Sequence, residues 1–228
     1  MVVSPVDPER RDEVRSTTDA RGLLKTFDAM VAKTGVRNVQ RVAHLPTKDI
    51  PEHLALCARL KDLSMVPVKP DDDRAEKVMK GLIFQSGRPM LLCPEEFAAG
   101  LPVNFDRIIV AWDQSAPAAR AVGDALPLLH RARDIQVVTA TNGDTSAERE
   151  SGAAVVRHLA EHGIKASFDM VRMDGSSVGK VLAAEAKASG GDLLVMGAYG
   201  HSRLSEWVWG GATKTIIAEP PGWVFMSH

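Results

Sequence analysis

The chain has 228 residues, 45% of them hydrophobic, and 28 basic side chains nearly balance 29 acidic ones to leave a formal net charge of -1. This composition is enough for an ordinary core in one large or two small domains, and the balanced charge argues against nucleic-acid and anionic-membrane partners. The polar start lacks the features of a secretory signal, no apolar run is long enough to span a membrane, and two cysteines are too few for a disulfide framework, so we expect a cytoplasmic protein.

The first hundred residues repeat part of the pattern that the rest of the chain follows. Nothing in residues 1–94 matches the strand and helix that we predict over residues 105–131. Residues 95–104 include Gly100 and Pro102, and they are predicted to be a linker. The aligned segments are 34–36 with 162–164, 54–56 with 182–184, 64–68 with 192–196 and, after a small insertion, 90–92 with 224–226.

From Phe105 onward, short β-branched runs alternate with amphipathic segments of helical length. This alternation is typical of a parallel sheet with helices on both faces, and it predicts one doubly wound α/β domain over residues 105–228. Ser115 and Pro117 fit the start of its first helix, and Gly163 fits the end of its second. The predicted strands are 105–112, 135–140, 166–172, 192–197 and 223–227, and the predicted helices are 115–131, 146–162, 176–188 and 212–219.

Glycines follow the apolar run that ends the fourth of these strands. Gly197, Gly200 and Gly210 form the pattern G-x2-G-x9-G, and Gly211 follows directly. Glycine at a strand exit permits a turn with positive φ and brings backbone N–H groups close to an anion. A helix that begins after such a turn adds amide donors and the positive end of its dipole. The pattern therefore predicts a phosphate-binding loop.

Two more residues fall at the same predicted edge of the sheet. Asp113 and Ala140, like Gly197, lie at the carboxyl ends of predicted strands, where doubly wound sheets bind ligands. Simpler roles exist for each, because Asp113 can cap the helix near Ser115 and glycines often serve turn geometry alone. The coincidence of three positions at one edge favours the ligand-binding interpretation.

Three enzyme motifs are present only in part. Residues 158–162 match the H-x-x-E-H pattern of a zinc protease helix, but a helix end follows and no third ligand is evident. Residues 175–180 resemble a Walker loop with too few residues between the glycines and with Val181 in place of the hydroxyl. Residues 189–192 resemble a pyrophosphatase loop but enter a strand. We predict no metal site and no catalytic constellation, with slow ATP hydrolysis as the most activity expected.

The second half, residues 105–228, resembles a universal stress protein domain. The resemblance rests on the glycine pattern and on Asp113 and Ser115, because the family commonly has an aspartate, a small turn residue and a serine after the first strand. The whole chain resembles a tandem member whose first domain, residues 1–94, lacks its leading strand and helix. The resemblance implies a Rossmann-like five-stranded parallel sheet, frequent dimerisation through the last strand and, in one subgroup, ATP binding.

The same resemblance assigns expected ATP contacts. The family pattern continues with serine or threonine after the third glycine, whereas this chain has Gly211, so a hydroxyl donor to the terminal phosphates is lost. The Gly211 amide and Thr213 remain, and we expect ATP, with Mg²⁺, to act as a regulatory ligand. The other expected contacts are Asp113 and the backbone of Ala140 at the nucleoside, and Gly197, Gly200 and Gly210 at the phosphates.

The first half is not expected to bind nucleotide. Residues 69–72 replace the glycine turn with a lysine, a proline and two aspartates, whose carboxylates would repel phosphate. Loss of a central strand would also leave backbone edges unpaired. We expect a partner chain, giving a homo-oligomer, or a rearrangement to cover them, unless the recorded start lies downstream of the true one.

Two other hypotheses remain open. One is an interaction protein that binds no nucleotide and dimerises through the edge strand Trp223–Ser227. The other, more distant, is an enzyme of the related adenine-nucleotide hydrolase group. Calorimetric titration with ATP would distinguish binding from the interaction protein.

Overall fold

A computed structural model describes residues 2–6, 13–69, 73–94, 103–143, 145–199 and 211–228 of the protein. Side chains are described over these ranges apart from residues 2–6, 13–20 and 73–74. Backbone contacts divide the chain into two compact units, Met1–Leu54 and Ala55–His228.

The first unit contains a β-α-β arrangement. Strand β1 (Val2–Val6) is followed by helix α1 (Glu13–Val31) and strand β2 (Val42–Pro46). The two strands are parallel, with Val2 opposite Val42. A 3-10 turn at Thr47–Asp49 leads into helix α2 (Ile50–Ala58), which crosses the boundary between the units.

The second unit contains a seven-stranded sheet with the order β3-β4-β9-β8-β5-β6-β7. Every neighbouring pair in it is parallel except β4 and β9. Ile108, Ile109 and Val110, on an inner strand, are fully buried, as expected for a parallel strand covered on both faces. The strands are β3 (Ser64–Val68), β4 (Met90–Pro94), β5 (Arg107–Ala111), β6 (Asp134–Thr141), β7 (Ser167–Arg172), β8 (Leu193–Gly197) and β9 (Trp223–Ser227).

Side-chain caps fix the starts of three helices in this unit. The Ser115 hydroxyl accepts a hydrogen bond from the Ala118 amide at 3.2 Å, and Thr145 forms a reciprocal capping box with Glu148. Ser177 caps the next helix in the same way. The helices are α3 (Asp73–Gln85), α4 (Ala116–Leu129), α5 (Ser146–Glu161), α6 (Val178–Ala188) and α7 (Gly211–Ala218).

The predicted fold class is confirmed. Strands β5 to β9 lie in the order β9-β8-β5-β6-β7, and their parallel pairing is that of a doubly wound Rossmann-like sheet. Each predicted strand and helix of residues 105–228 is present, with small differences at its ends. The alternation of apolar runs and amphipathic segments was therefore sufficient to predict this part of the molecule.

The prediction that Trp223–Ser227 forms an edge strand is wrong. Strand β4 pairs antiparallel with β9, so that Leu91 lies opposite Phe225 and Leu92 opposite Val224. β9 consequently has a neighbour on each side, β4 and β8. A second chain would have to displace β4 before it could pair with β9.

The described elements before residue 95 follow the same order as those from β6 onward. β1-β2 is a parallel pair like β6-β7, and β3-β4 is a parallel pair like β8-β9. In the later set, β5 lies between β8 and β6 and joins the two pairs into one sheet. The earlier set is divided between two sheets, which accounts for a unit boundary at Leu54. The division of the sequence into a domain at residues 1–94, a linker at 95–104 and a domain at 105–228 remains a prediction.

Replacing Leu92 with alanine should destabilise the whole second unit. Leu92 is fully buried on β4, and removing its side chain should lower the free energy of unfolding by about 2–5 kcal/mol. Since β4 belongs to the same sheet as β9, we expect one shifted transition in chemical denaturation followed by tryptophan fluorescence. Met65→Ala is the control, because Met65 is exposed on β3 and its loss should change stability by less than about 0.5 kcal/mol. An unshifted fluorescence transition for Leu92→Ala would show that β4 is not integral to the sheet.

Candidate functional site

A cavity of about 310 Å³ lies at the carboxyl ends of β5, β6 and β8. From β5 the chain passes to β6 on one side, whereas β8 pairs with β5 on the other, so the cavity marks the point where the strand order reverses. Doubly wound sheets bind ligands at this position. The strands contribute residues 111–113 at the end of β5, Val138 and Ala140 on β6, and Met196, Gly197 and Tyr199 at the end of β8. The helices contribute Ala118 on α4, Ser177, Val178 and Leu182 at α6, and residues 211–213 at α7.

The first turns of three helices contribute to this lining. Ala118 belongs to the start of α4, Val178 begins α6 and Gly211 begins α7. The first N–H groups of a helix have no partner within the helix, and the helix dipole is positive at this end. The walls are mostly apolar, and the positive ends of three helix dipoles lie at the cavity.

The structure brings five of the predicted site residues together. All five line the cavity, although they come from four separate segments of the chain. Gly200 and Gly210 lie outside the described residues. The five are Asp113, Ala140, Gly197, Gly211 and Thr213.

Backbone amides in the turn after β8 are engaged within the protein. The Ala198 amide donates to the Ser227 carbonyl at 2.8 Å, and the Tyr199 amide donates to Thr213 Oγ1 at 3.2 Å. Thr213 is buried in the first turn of α7, and its hydroxyl connects this helix to the segment after β8. The expectation of bare N–H groups is therefore not met at Ala198 or Tyr199.

Glycine is needed at position 197 for packing and not for a turn with positive φ. Its φ is not positive, and the left-handed conformation falls instead on Tyr199, whose φ is 65°. A Cβ added at Gly197 would lie 2.4 Å from the Ala118 nitrogen and 2.5 Å from the Pro117 carbonyl carbon. The missing side chain thus lets the first turn of α4 pack on the end of β8.

Gly211 is under no such constraint. A Cβ there would meet no atom of the described residues within 4 Å, and residue 211 begins a helix. The residue is exposed at the start of α7 and lines the cavity. A larger side chain therefore fits at Gly211, where the family pattern has a hydroxyl.

Asp113 stabilises the turn before α4, whose N-cap is Ser115, and it also lines the cavity. Its Oδ1 accepts a hydrogen bond from the Ser115 amide at 3.0 Å, which stabilises the turn into α4. It also lines the cavity and is exposed to solvent. A carboxylate held in this way lies at the cavity mouth with a fixed direction.

Sequence reasoning missed two aromatic residues of the cavity wall. Trp112 precedes Asp113, and its indole N–H donates to Ser151 Oγ at 2.9 Å, which fixes the ring. Tyr199 is buried in the turn after β8. Their positions beside Asp113 and inside the glycine pattern were the available signal.

The partial enzyme motifs have ordinary structural roles. Residues 175–177 form a turn, with Gly175 at a φ of 82°, and residues 178–180 begin α6. The His158 and His162 rings lie edge to face with centroids 4.8 Å apart. Over the described part of the chain, no group of three or more histidine, cysteine, aspartate or glutamate side chains is placed to hold a metal ion.

None of the described helices is long and apolar enough to cross a bilayer.

Comparison with known proteins gives a family match. The model of the universal stress protein family matches residues 104–226, which is more than half of the chain and includes all five cavity-lining residues predicted from the sequence. No curated protein sequence shows significant similarity to the chain.

Two solved structures show the same fold at low sequence identity, and a third shows a weaker likeness. A universal stress protein from Archaeoglobus fulgidus DSM 4304 is 14% identical with a TM-score of 0.74, over 99% of this chain and 83% of that chain. A putative universal stress protein from Pseudomonas aeruginosa UCBPP-PA14 is 13% identical with a TM-score of 0.60, over 99% and 91%. A universal stress protein solved in complex with cAMP is 19% identical with a TM-score of 0.45, over 55% and 98%.

Replacing Gly197 with alanine should destabilise the protein. The new Cβ would overlap backbone atoms of α4, which cannot move as a flexible side chain can, and overpacking of this kind costs about 1–3 kcal/mol. Thermal denaturation of the full chain measures the effect. Gly211→Ala is the matched control and should keep wild-type stability or gain slightly, because its Cβ meets open space. Equal melting temperatures for the two variants would contradict the packing role of Gly197.

Proposed function

The chain belongs to the universal stress protein family, and on that premise we propose that its cavity binds an adenine nucleotide as a regulatory ligand. ATP is the first candidate, with Mg²⁺ at its phosphates. The observation that carries the proposal is the convergence of an apolar slot, a carboxylate and the first turns of three helices at one strand-order reversal.

The nucleoside would occupy the apolar part of the cavity. Val138 and Ala140 line it from β6, and Val178 and Leu182 line it from α6. Small and branched apolar side chains on two sides leave a slot suited to a flat base. Asp113 at the mouth has carboxylate oxygens that can accept hydrogen bonds from ribose hydroxyls.

The phosphates would lie toward the start of α7. Residues 211–213 form its first turn, where amides without a partner inside the helix and the positive end of the helix dipole favour an anion. The proposed contacts from Gly197, Gly200 and Gly210 would extend this end. Of these three, Gly197 lines the cavity, and the other two are beyond the described residues.

We further propose that residues 1–94 are a truncated, degenerate domain joined by residues 95–104 to the complete domain at 105–228. The shared order of elements supports this arrangement. Residues 69–72, which align with residues 197–200, contain no glycine, so the first half lacks the glycine turn. We also propose a cytoplasmic location and a homo-oligomer. Because β9 already pairs with β4, the subunits would contact each other through other surfaces.

An interaction module without nucleotide is the second candidate. The observation in its favour is that the Ala198 and Tyr199 amides already have partners inside the protein. A phosphate would then depend on fewer donors than a glycine-rich turn normally offers. The two candidates differ in whether the cavity takes up ATP.

Isothermal titration of the full chain with ATP and Mg²⁺ tests the proposal. We expect saturable heat with one site per chain, together with an increase in melting temperature. Adenosine should bind more weakly, since it fills only the apolar end. Absence of both heat and thermal shift at high protein concentration would favour the interaction module.

Replacing Gly211 with serine should strengthen ATP binding. The new side chain fits in open space and adds a hydroxyl donor at the phosphate end, so we expect about tenfold tighter binding, the value of one hydrogen bond to a charged group. Gly211→Ala has the same backbone effect without the hydroxyl and should keep wild-type affinity. Calorimetric dissociation constants measure the difference. Equal affinity in the serine and alanine variants would show that the phosphates do not reach this position.

A further inference from the structure

We infer that Phe84, on helix α3 of the first half, is a positioning residue for the cavity. Its ring packs against Tyr199 and holds the turn after β8 in the conformation that forms the cavity wall. The effect on ligand affinity rests on the proposed function, whereas the effect on the turn does not. The first half would then support the site of the second half.

Three aromatic rings form the contact. The ring centroids of Phe84 and Tyr199 are 4.4 Å apart, with their planes tilted by 40°. His228 lies edge-on to both, at 4.9 Å from Phe84 and 6.1 Å from Tyr199. The His228 ring also hydrogen-bonds through Nδ1 to the Ala198 carbonyl at 2.9 Å. The cluster therefore contacts the turn through a side chain and through its backbone.

Tyr199 occupies a conformation that needs support from its surroundings. Its φ is 65°, in the left-handed region that residues with a side chain adopt rarely. Such a residue keeps this conformation only where neighbouring contacts hold it. The ring of Tyr199 is buried, and Phe84 supplies one of the faces against which it packs.

The turn matters to the cavity because it joins two of its walls. Tyr199 lines the cavity itself, and its amide donates to Thr213 in the first turn of α7. A change in the Tyr199 backbone would therefore move both the end of β8 and the start of α7. Phe84 is not among the cavity-lining residues, so it acts through Tyr199.

The sheet explains how a first-half helix reaches this turn. α3 connects β3 to β4, β4 pairs with β9, and β9 pairs with β8, which ends at the turn. A second residue of the same helix also acts on Tyr199. Burial and the negative charge of Glu76 raise the pKa of the Tyr199 phenol, so this ring stays neutral against α3.

Amide hydrogen exchange in the full chain tests the positioning role without a ligand. In Phe84→Ala, the Tyr199 amide should exchange about two- to tenfold faster than in the control, as expected for loss of an aromatic pair. The control is Leu82→Ala, on the same helix and buried, because two residues turn about 200° around a helix and place Leu82 on the far side. Equal exchange at Tyr199 in the two variants would overturn the inference.

Calorimetric titration with ATP and Mg²⁺ is the second measurement. Phe84→Ala should raise the dissociation constant about two- to tenfold, Leu82→Ala should leave it unchanged, and Phe84→Leu, which keeps apolar bulk, should restore part of the affinity. Phe84→Leu also serves in both measurements if Phe84→Ala does not fold. Wild-type ATP affinity in Phe84→Ala would overturn the link to the cavity. If the wild-type chain binds no ATP, the proposed function fails, and hydrogen exchange still decides the role of Phe84.

Discussion

The parallel pairing of β5 with two neighbours is the constraint on which the rest of the structure depends. Ile108 to Val110 pair with β6 on one side and with β8 on the other, and they are fully buried. Because β5 is central, its carboxyl end is where connections to the two flanking pairs diverge. The cavity opens at this point, lined by the residues that follow β5. One strand therefore determines both the continuity of the sheet and the position of the site.

The first half shows what the same arrangement becomes when this constraint is missing. Its strand pairs β1-β2 and β3-β4 belong to separate sheets, and β4 finds its second neighbour in β9 of the other half. β3 forms the outer strand of the large sheet and has Pro67, which lacks an N–H, at an exposed position. Proline on an outer strand discourages further pairing. The rearrangement thus uses an edge of the second half, and the remaining outer strand is a poor template for another chain.

Local sequence signals predicted the second half well because its elements are encoded locally. Ser115 and Gly163 mark helix ends through backbone chemistry, and apolar runs mark buried strands. The antiparallel pairing of Leu91 with Phe225 could not be predicted in this way, since nothing in either segment specifies a partner so distant in the chain. The site was predicted by position, at the ends of strands. The sequence did not reveal why position 197 must be glycine, because the close approach of Ala118 to Gly197 depends on tertiary packing.

Two ionisable side chains among the described lining residues, Asp113 and Tyr199, link the cavity to other parts of the fold. Asp113 accepts a hydrogen bond from the Ser115 amide, and burial raises the pKa of the Tyr199 phenol. Tyr199 also connects the cavity to Phe84 and hence to the first half. On the proposed function, a ligand in contact with Tyr199 would also act on Phe84, whose helix leads into the β4-β9 pairing.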